Sequence, residues 1–315
     1  MRTAGLRNLR LASSPPPPRL WWFVLLWFLS LLLFRVPVSN LVSLALRDER
    51  YSHILLIPFI SLGLIWLERN RIFFDSRYCP GVGMPLLLAG VVLSILSRAG
   101  VSPFGENQSL FVSIFAIVLI WTALFILCFG LYPFRRALFP VMFLLLMVPL
   151  PVGLMDKAVA ALQKGSAEAA FTLFKLAGVP VFRDGFQFSL PGVAIEVAEE
   201  CSGIRSGVSL VISSILAGHL FLRSNWRRVC LILFTVPIVI FKNGLRIVTI
   251  SWLGVYVDRG FLYGSLHKHG GLPFSLIALA LMALLLFVLR KPERNSEISP
   301  DGPNPEFPLQ PTVGT

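Results

Sequence analysis

The stretch Glu196-Val197-Ala198-Glu199-Glu200-Cys201-Ser202-Gly203-Ile204-Arg205-Ser206-Gly207 gathers a thiol, three carboxylates, a guanidinium, two hydroxyls and two glycines between strongly apolar segments. A cysteine that attacks a carbonyl must be available as thiolate, and it needs a positive surrounding, a base and an oxyanion stabiliser. Cys201 stands just before Ser202-Gly203, where a helix is expected to begin. The unpaired N–H groups of a helix N-terminus lower a thiol pKa and can hold an oxyanion. Glu199 and Glu200 work in the opposite direction unless they pair with Arg205 or Arg246 or turn away. Free cysteines usually end up buried and inert, a fate that the polar neighbours of Cys201 argue against.

Two later stretches carry matching chemistry. In Phe241-Lys242-Asn243-Gly244-Leu245-Arg246, charged groups interrupt an apolar run, where their insertion costs ~2.5–3.5 kcal/mol at the centre of a span. Arg246 follows Arg228 by eighteen residues, roughly 27 Å along a helix, so it is expected near the far interface. Lys242 and Arg246 share a helical face, and Asn243 lies three residues before Arg246. The plain alternative is an arginine that snorkels to headgroups. Leu266-His267-Lys268-His269-Gly270-Gly271 offers histidines suited to general acid and base work. A solvated loop or adventitious binding by the His-x-His pair are its plain alternatives, and no Cys, Asp or Glu in that run supports a metal site.

The elements that must position these residues are membrane helices. Of the 315 residues, 56% are hydrophobic and only 14% charged, and the mean hydropathy is +0.77; soluble domains carry about 25% charged residues. Eight spans are expected, at Leu20–Val38, His53–Leu67, Met84–Leu96, Leu110–Gly130, Ala137–Val152, Gly207–Leu222, Val229–Val257 and Leu272–Leu289. The second and third are short of the ~20 residues that cross ~30 Å of hydrocarbon, and must borrow flanking residues. The formal net charge of +12 resides in short stretches between apolar runs, which suits topology determinants and anionic lipid rather than nucleic acid. Arginines 69, 71, 77, 135, 136, 223, 227, 228 and 290 then mark cytoplasmic connections under the positive-inside rule. Both termini are then expected in the cytoplasm, with Cys201, Arg246 and His267 together on the outer face of the membrane.

Residues 1–19 read as a cytoplasmic tail with a stiff proline run, 20–290 as the membrane domain, and 291–315 as a disordered cytoplasmic tail. Residues 153–206 read as an extracytoplasmic insertion. Its first half predicts an amphipathic helix, with Leu154, Ala158, Ala161, Leu162 and Ala169 at helical spacing. Its second half predicts short strands around Asp184-Gly185 and Pro191-Gly192, ending at Val193 to Val197. The fold class is therefore an all-α polytopic membrane protein with about eight spans and a small helix and β-hairpin insertion before the sixth. Four cysteines, at 79, 128, 201 and 230, show no CxxC spacing, so neither a zinc site nor a disulfide framework is indicated.

The sequence resembles the exosortase and archaeosortase family of polytopic cysteine transpeptidases. Glu200-Cys201-Ser202-Gly203-Ile204-Arg205-Ser206 is similar to the family's nucleophile motif, Asn243-Gly244-Leu245-Arg246-Ile247 to its arginine motif, and His267-Lys268-His269-Gly270-Gly271 to its histidine motif. The resemblance implies that Cys201 is the nucleophile, that Arg246 stabilises the oxyanion or thiolate, and that His267 is the general acid and base, with His269 as the fallback. Asn243, Ser202 and Arg205 are the candidate substrate-binding residues. It further implies cleavage of exported proteins that end in a sorting signal resembling the Pro-Glu-Pro type, made of a short motif, one transmembrane helix and a basic tail. Transfer to a surface acceptor would follow through a thioester, with no cofactor and no metal. A transporter or channel, which predicts polar groups at mid-membrane and two related halves, and a Cys-dependent membrane acyltransferase are the competing readings.

Overall fold

The structure, a computed structural model of the chain, describes residues 18–73, 78–99, 109–197, 203–258, 260 and 271–298. It divides into two compact units, residues 1–155 and 156–315.

In the first unit, α1 (Pro18–Leu33) and α2 (Arg35–Arg47) are followed by a 3-10 turn at Glu49–Leu55 and α3 (Ile57–Leu67). Then come α4 (Arg69–Ile72), α5 (Pro80–Arg98), α6 (Ser109–Phe129), α7 (Leu131–Arg136) and α8 (Leu138–Phe143). The α6 segment lacks glycine, proline and charge and is buried along most of its length, so it forms the axis of the unit, with α5 and α1 packed along it. Phe125, Cys128 and Phe129 of α6 form a core with Ile72, Ala137 and Val141.

The second unit contains most of α9 (Val152–Leu176), strands β1 (Phe182–Asp184), β2 (Gln187–Leu190) and β3 (Val193–Glu196), and helices α10 (Ile204–Phe221), α11 (Asn225–Tyr256) and α12 (Gly271–Ile298). The strands form an antiparallel sheet in the order β1-β2-β3. Asp184 pairs with Gln187 and Leu190 with Val193, so each connection is a two-residue loop. Gly185 (φ 58°) and Gly192 (φ 79°) supply the left-handed residue that each tight loop requires. Phe188 and Leu190 turn into a core with Ala167, Ala170 and Phe174 of α9, and the Phe174 and Phe188 rings lie 5.9 Å apart. Arg183 and Glu168 form an ion pair of 3.0 Å at its edge.

Six helical segments among the described residues are long and apolar enough to cross a membrane, and two bent helix pairs bring the number to eight. The expected second and third spans do borrow flanking residues, running over Glu49–Leu67 and Pro80–Arg98. The expected first span, by contrast, is not one rod, because α1 and α2 meet at 77°. Pro37 has no N–H to donate to the Leu33 carbonyl and its ring clashes with that group, so the helix breaks one turn before it. The expected fifth span is likewise divided, into α8, a 3-10 turn at Leu144–Met147, and a pairing with α9.

Helix α9 also differs in which face it buries. The buried stripe runs through Val159, Gln163, Ser166, Ala167, Ala170 and Phe174, while Leu154 is exposed and Leu162 only half-buried. Two of the buried residues are polar. In an alanine-rich helix the hydropathy pattern is nearly flat around the axis, so it gave no strong preference for one stripe over the next.

Candidate active site

Helix α11 runs unbroken from Asn225 to Tyr256 although it contains Pro237, and it carries three of the polar residues singled out above. Asn243 is fully buried, Lys242 is 3% exposed, and Arg246 is half-buried one turn further on. Ile247 and Val248 beside Arg246 pack on the core shared by α9 and the sheet.

The start of α10 rests on this part of α11. Gly203 is buried, is left-handed at φ 76°, and caps α10. A Cβ at Gly203 would lie 3.0 Å from both Cγ and Oδ1 of Asn243. Only glycine combines that backbone conformation with that approach. One turn into α10, a Cβ on Gly207 would lie 3.0 Å from Val239 of α11. Lys242 Nζ donates to Ser206 Oγ at 2.5 Å, and Ser206 Oγ donates to the Gly203 carbonyl at 3.1 Å. Sidechain packing and a hydrogen-bonded relay thus hold the same turn.

The chain entering that turn is fixed as well. Gln163 Nε2 of α9 donates to the Val197 carbonyl at 2.6 Å, and the Val197 N–H donates to Phe186 O at 3.0 Å. Val197 is 2% exposed. Helix α9 in turn lies close to α11, because a Cβ on Gly244 would come within 2.7 Å of Ala169 Cβ and 3.1 Å of Ala170 N. Gly165 approaches Ile240 in the same manner, at 2.9 Å. Small residues that allow close backbone approach are how membrane helices gain packing energy.

Cys201, Ser202, His267 and His269 lie outside the described residues, as do Glu199 and Glu200. The structure brings together Asn243, Gly203 and the first turn of α10, and it places Arg246 one helical turn along α11. Arg205 is exposed on the first turn of α10. Sequence reasoning missed Gln163, Ser166 and Ser206, and noted Lys242 without giving it a role. The signal for the first two was a pair of polar residues three apart within an alanine-rich helix. Ser166 Oγ is fully buried and has no hydrogen-bond partner among the described residues.

The electrostatic character of the site follows from these placements. The Lys242 ammonium on Ser206 and the N–H groups at the start of α10 both contribute positive potential at the first turn of α10. Burying an ammonium is costly unless it is hydrogen-bonded, and Ser206 meets that need. Such a field favours a thiolate over a thiol and stabilises a carbonyl oxygen that gains charge. No group of three or more His, Cys, Asp or Glu residues able to hold a metal ion occurs among the described residues.

A family model for transmembrane exosortases (Exosortase_EpsH) matches residues 43–284, a range that includes all the polar stretches discussed above. No curated protein and no solved structure matches the chain.

Proposed function

The chain belongs to the transmembrane exosortase family, and from that premise we propose that Cys201, Arg246 and His267 form the site of a membrane cysteine transpeptidase acting on C-terminal sorting signals. The observation that carries this reading is the seating of Gly203 on Asn243. Cys201 precedes Gly203 by two residues, which span at most ~7.2 Å of extended chain, and Asn243 lies one helical turn from Arg246. That short tether and that single turn are what support assigning Cys201 and Arg246 to one site.

The Cys201 thiolate attacks the carbonyl carbon of a peptide bond near the C-terminus of an exported protein. Arg246 and the N–H groups opening α10 stabilise the negative charge that develops on the carbonyl oxygen. The C–N bond breaks as His267 gives its proton to the leaving amine, which departs with the signal's membrane helix and basic tail. A thioester remains on Cys201. An acceptor nucleophile then attacks it, losing its proton to His267, and the C–S bond breaks to regenerate the Cys201 thiolate. Lys242 and Ser206 fix the turn from which Cys201 extends, Asn243 seats Gly203 within it, and Ser202 and Arg205 contact the substrate backbone. Because the substrate is anchored by a helix of its own, it reaches the site by search in a plane, and proximity contributes to the rate.

In this reading the site faces the outside of a bacterial inner membrane, and the tails at 1–19 and 291–315 face the cytoplasm. A membrane-impermeant thiol reagent applied to spheroplasts is expected to label Cys201 and to spare Cys79; the reverse pattern would invert the orientation. The direct test co-expresses the chain with a tagged protein ending in a short motif, one span and a basic tail. Cys201→Ala, Arg246→Ala and His267→Ala are each expected to leave the tag unprocessed while the chain accumulates normally in the membrane. Normal processing by Cys201→Ala would sink the proposal.

A further inference from the structure

The first unit contains a large cavity that no step of sorting-signal cleavage uses. It occupies about 1220 Å³ and is lined by residues of α1, α3, α6 and α8, more than the ~300–1,000 Å³ typical of sites for small ligands. Its depth is chemically apolar, because the polar groups there are already bonded within the protein. Ser61 Oγ donates to the Pro140 carbonyl at 2.7 Å, and Trp121 Nε1 donates to Ser30 Oγ at 2.8 Å.

One end is different. Arg19, Arg69 and Asn70 all line the cavity. Phe23, one turn from Arg19, and Phe73, one turn from Arg69, both pack on Phe125 and Phe129 of α6, which keeps both arginines within about a turn of the same ring cluster. At the other end, Trp27 meets Trp121 with ring centroids 5.3 Å apart. The Arg19 guanidinium lies 4.3 Å from the Tyr78 ring centre and that of Arg69 lies 4.3 Å from the Trp66 ring centre. Arginines stacked on Tyr and Trp are typical of the headgroup level of a bilayer. Along α1, Arg19 to Phe28 covers ~14 Å, about half of a ~30 Å hydrocarbon core.

We propose that this cavity binds one anionic phospholipid, with its acyl chains against α1, α3 and α6 and its phosphate held by Arg19 and Arg69. The depth of one leaflet is what selects a lipid. A protein helix crossing the membrane would need the full thickness, whereas a phospholipid occupies one leaflet and carries its charge where these arginines stand. Two guanidiniums with an amide alongside present the donors that a phosphodiester accepts. Glu68, the acidic neighbour of Arg69, does not line the cavity.

The test purifies the full chain in mild detergent and weighs it intact by mass spectrometry. It then follows thermal unfolding after addition of phosphatidylglycerol or phosphatidylcholine. The native chain is expected to retain one phosphatidylglycerol and to prefer it over phosphatidylcholine by roughly tenfold, as two basic groups near a headgroup allow. The double variant Arg19→Gln/Arg69→Gln is expected to lose the preference and bind both lipids alike. Gly63 also lines the cavity, and a Cβ there would meet nothing within 4 Å. Gly63→Phe introduces a ring at that open position, and is expected to abolish retention of both lipids while leaving the unliganded midpoint in place. Equal retention of the two lipids by the native chain, a preference that survives the double variant, or undiminished retention in Gly63→Phe would each overturn the assignment. So would recovery of a peptide cross-linked in the cavity in place of lipid. None of these readouts depends on processing of a substrate.

Discussion

Both units bring helices together on glycines, but what the glycines touch differs. In the first unit, Gly83 and Gly90 of α5 lie against the side chains of Leu127 and Ile120 of α6, and the buried polar groups are small hydroxyls and an indole bonded to close neighbours. A large apolar cavity remains beside them. In the second unit, Gly207 and Gly165 likewise lie against the side chains of Val239 and Ile240, but Gly203 lies against the polar end of Asn243. A lysine, an asparagine and a glutamine are buried nearby. Buried charges and buried amides are expensive in a bilayer. Their concentration in the second unit indicates that the position of individual polar groups matters there, while helix packing in the first unit rests on apolar side chains.

The largest effect should come from removing the cation that has chemistry to do. Arg246→Met is expected to lower processing of a sorting-signal substrate by roughly 10²–10³-fold, the size of effect seen when one oxyanion stabiliser is lost. Arg98 of the first unit, whose guanidinium donates to the Leu33 carbonyl at 3.2 Å, provides the contrast. Arg98→Met should leave processing per folded molecule unchanged. Equal losses in the two variants would erase the distinction between the units.

The glycines separate the units next. Gly203→Ala forces a left-handed alanine, costing ~1–2 kcal/mol, and pushes Asn243 away from the turn that leads to Cys201. Processing should fall ~10–100-fold, since small misplacements at a reacting group are costly. Gly90→Ala meets Ile120 Cγ1 at 2.7 Å and the Ala116 carbonyl at 3.3 Å, so it should lower stability by ~1–3 kcal/mol without changing turnover of the folded fraction. Processing and thermal unfolding measured on both variants check the crossing pattern.

These contrasts also show what a single sequence can disclose. Helices α5, α6, α10, α11 and α12 were legible because length and continuous apolarity are local properties, and the three strands were legible because Asp184-Gly185 and Pro191-Gly192 mark tight turns. Arg246 was placed on α11 by counting from Arg228, and α11 does run unbroken between them. The break before Pro37 was also local, at the Arg35-Val36-Pro37-Val38 step that interrupts the apolar run from Leu20 to Phe34. The contact of Gly203 with Asn243, forty residues apart, belongs to no periodicity, and neither does the bond from Gln163 to Val197. The buried face of α9 was misjudged by about one residue because polar Gln163 and Ser166 lie on it.

A smaller effect tests whether the buried lysine positions the site or merely fills space. Lys242→Met and Ser206→Ala should each reduce processing about tenfold. The double variant should do little worse than either, because groups acting through one relay are not additive. Stability should hold or rise in Lys242→Met, since replacing a buried charge by an apolar side chain of similar length is often neutral or stabilising. A purely structural lysine would give the opposite result, with lost stability and intact turnover.

The smallest effect lies in the first unit, where a charge pair can be removed with almost no consequence. Asp48 accepts from the Arg50 backbone N–H at 2.9 Å and from its guanidinium at 2.7 Å, at the start of the 3-10 turn that follows α2. The bonds from Arg50 hold the Asp48 carboxyl below its ordinary value of 3.8. A carboxylate with a lowered pKa in the folded state contributes stability that is present above its unfolded pKa and is lost as pH falls through the folded one. Asp48→Asn keeps an oxygen for the backbone N–H and removes only the charge. It should therefore cost no more than ~0.5 kcal/mol at neutral pH, as partly exposed pairs do. The difference from the native chain should vanish in unfolding experiments carried below the ordinary carboxylate range, and processing should not change at any pH. A loss of activity in Asp48→Asn would mean that the first unit also holds groups in place for the reaction.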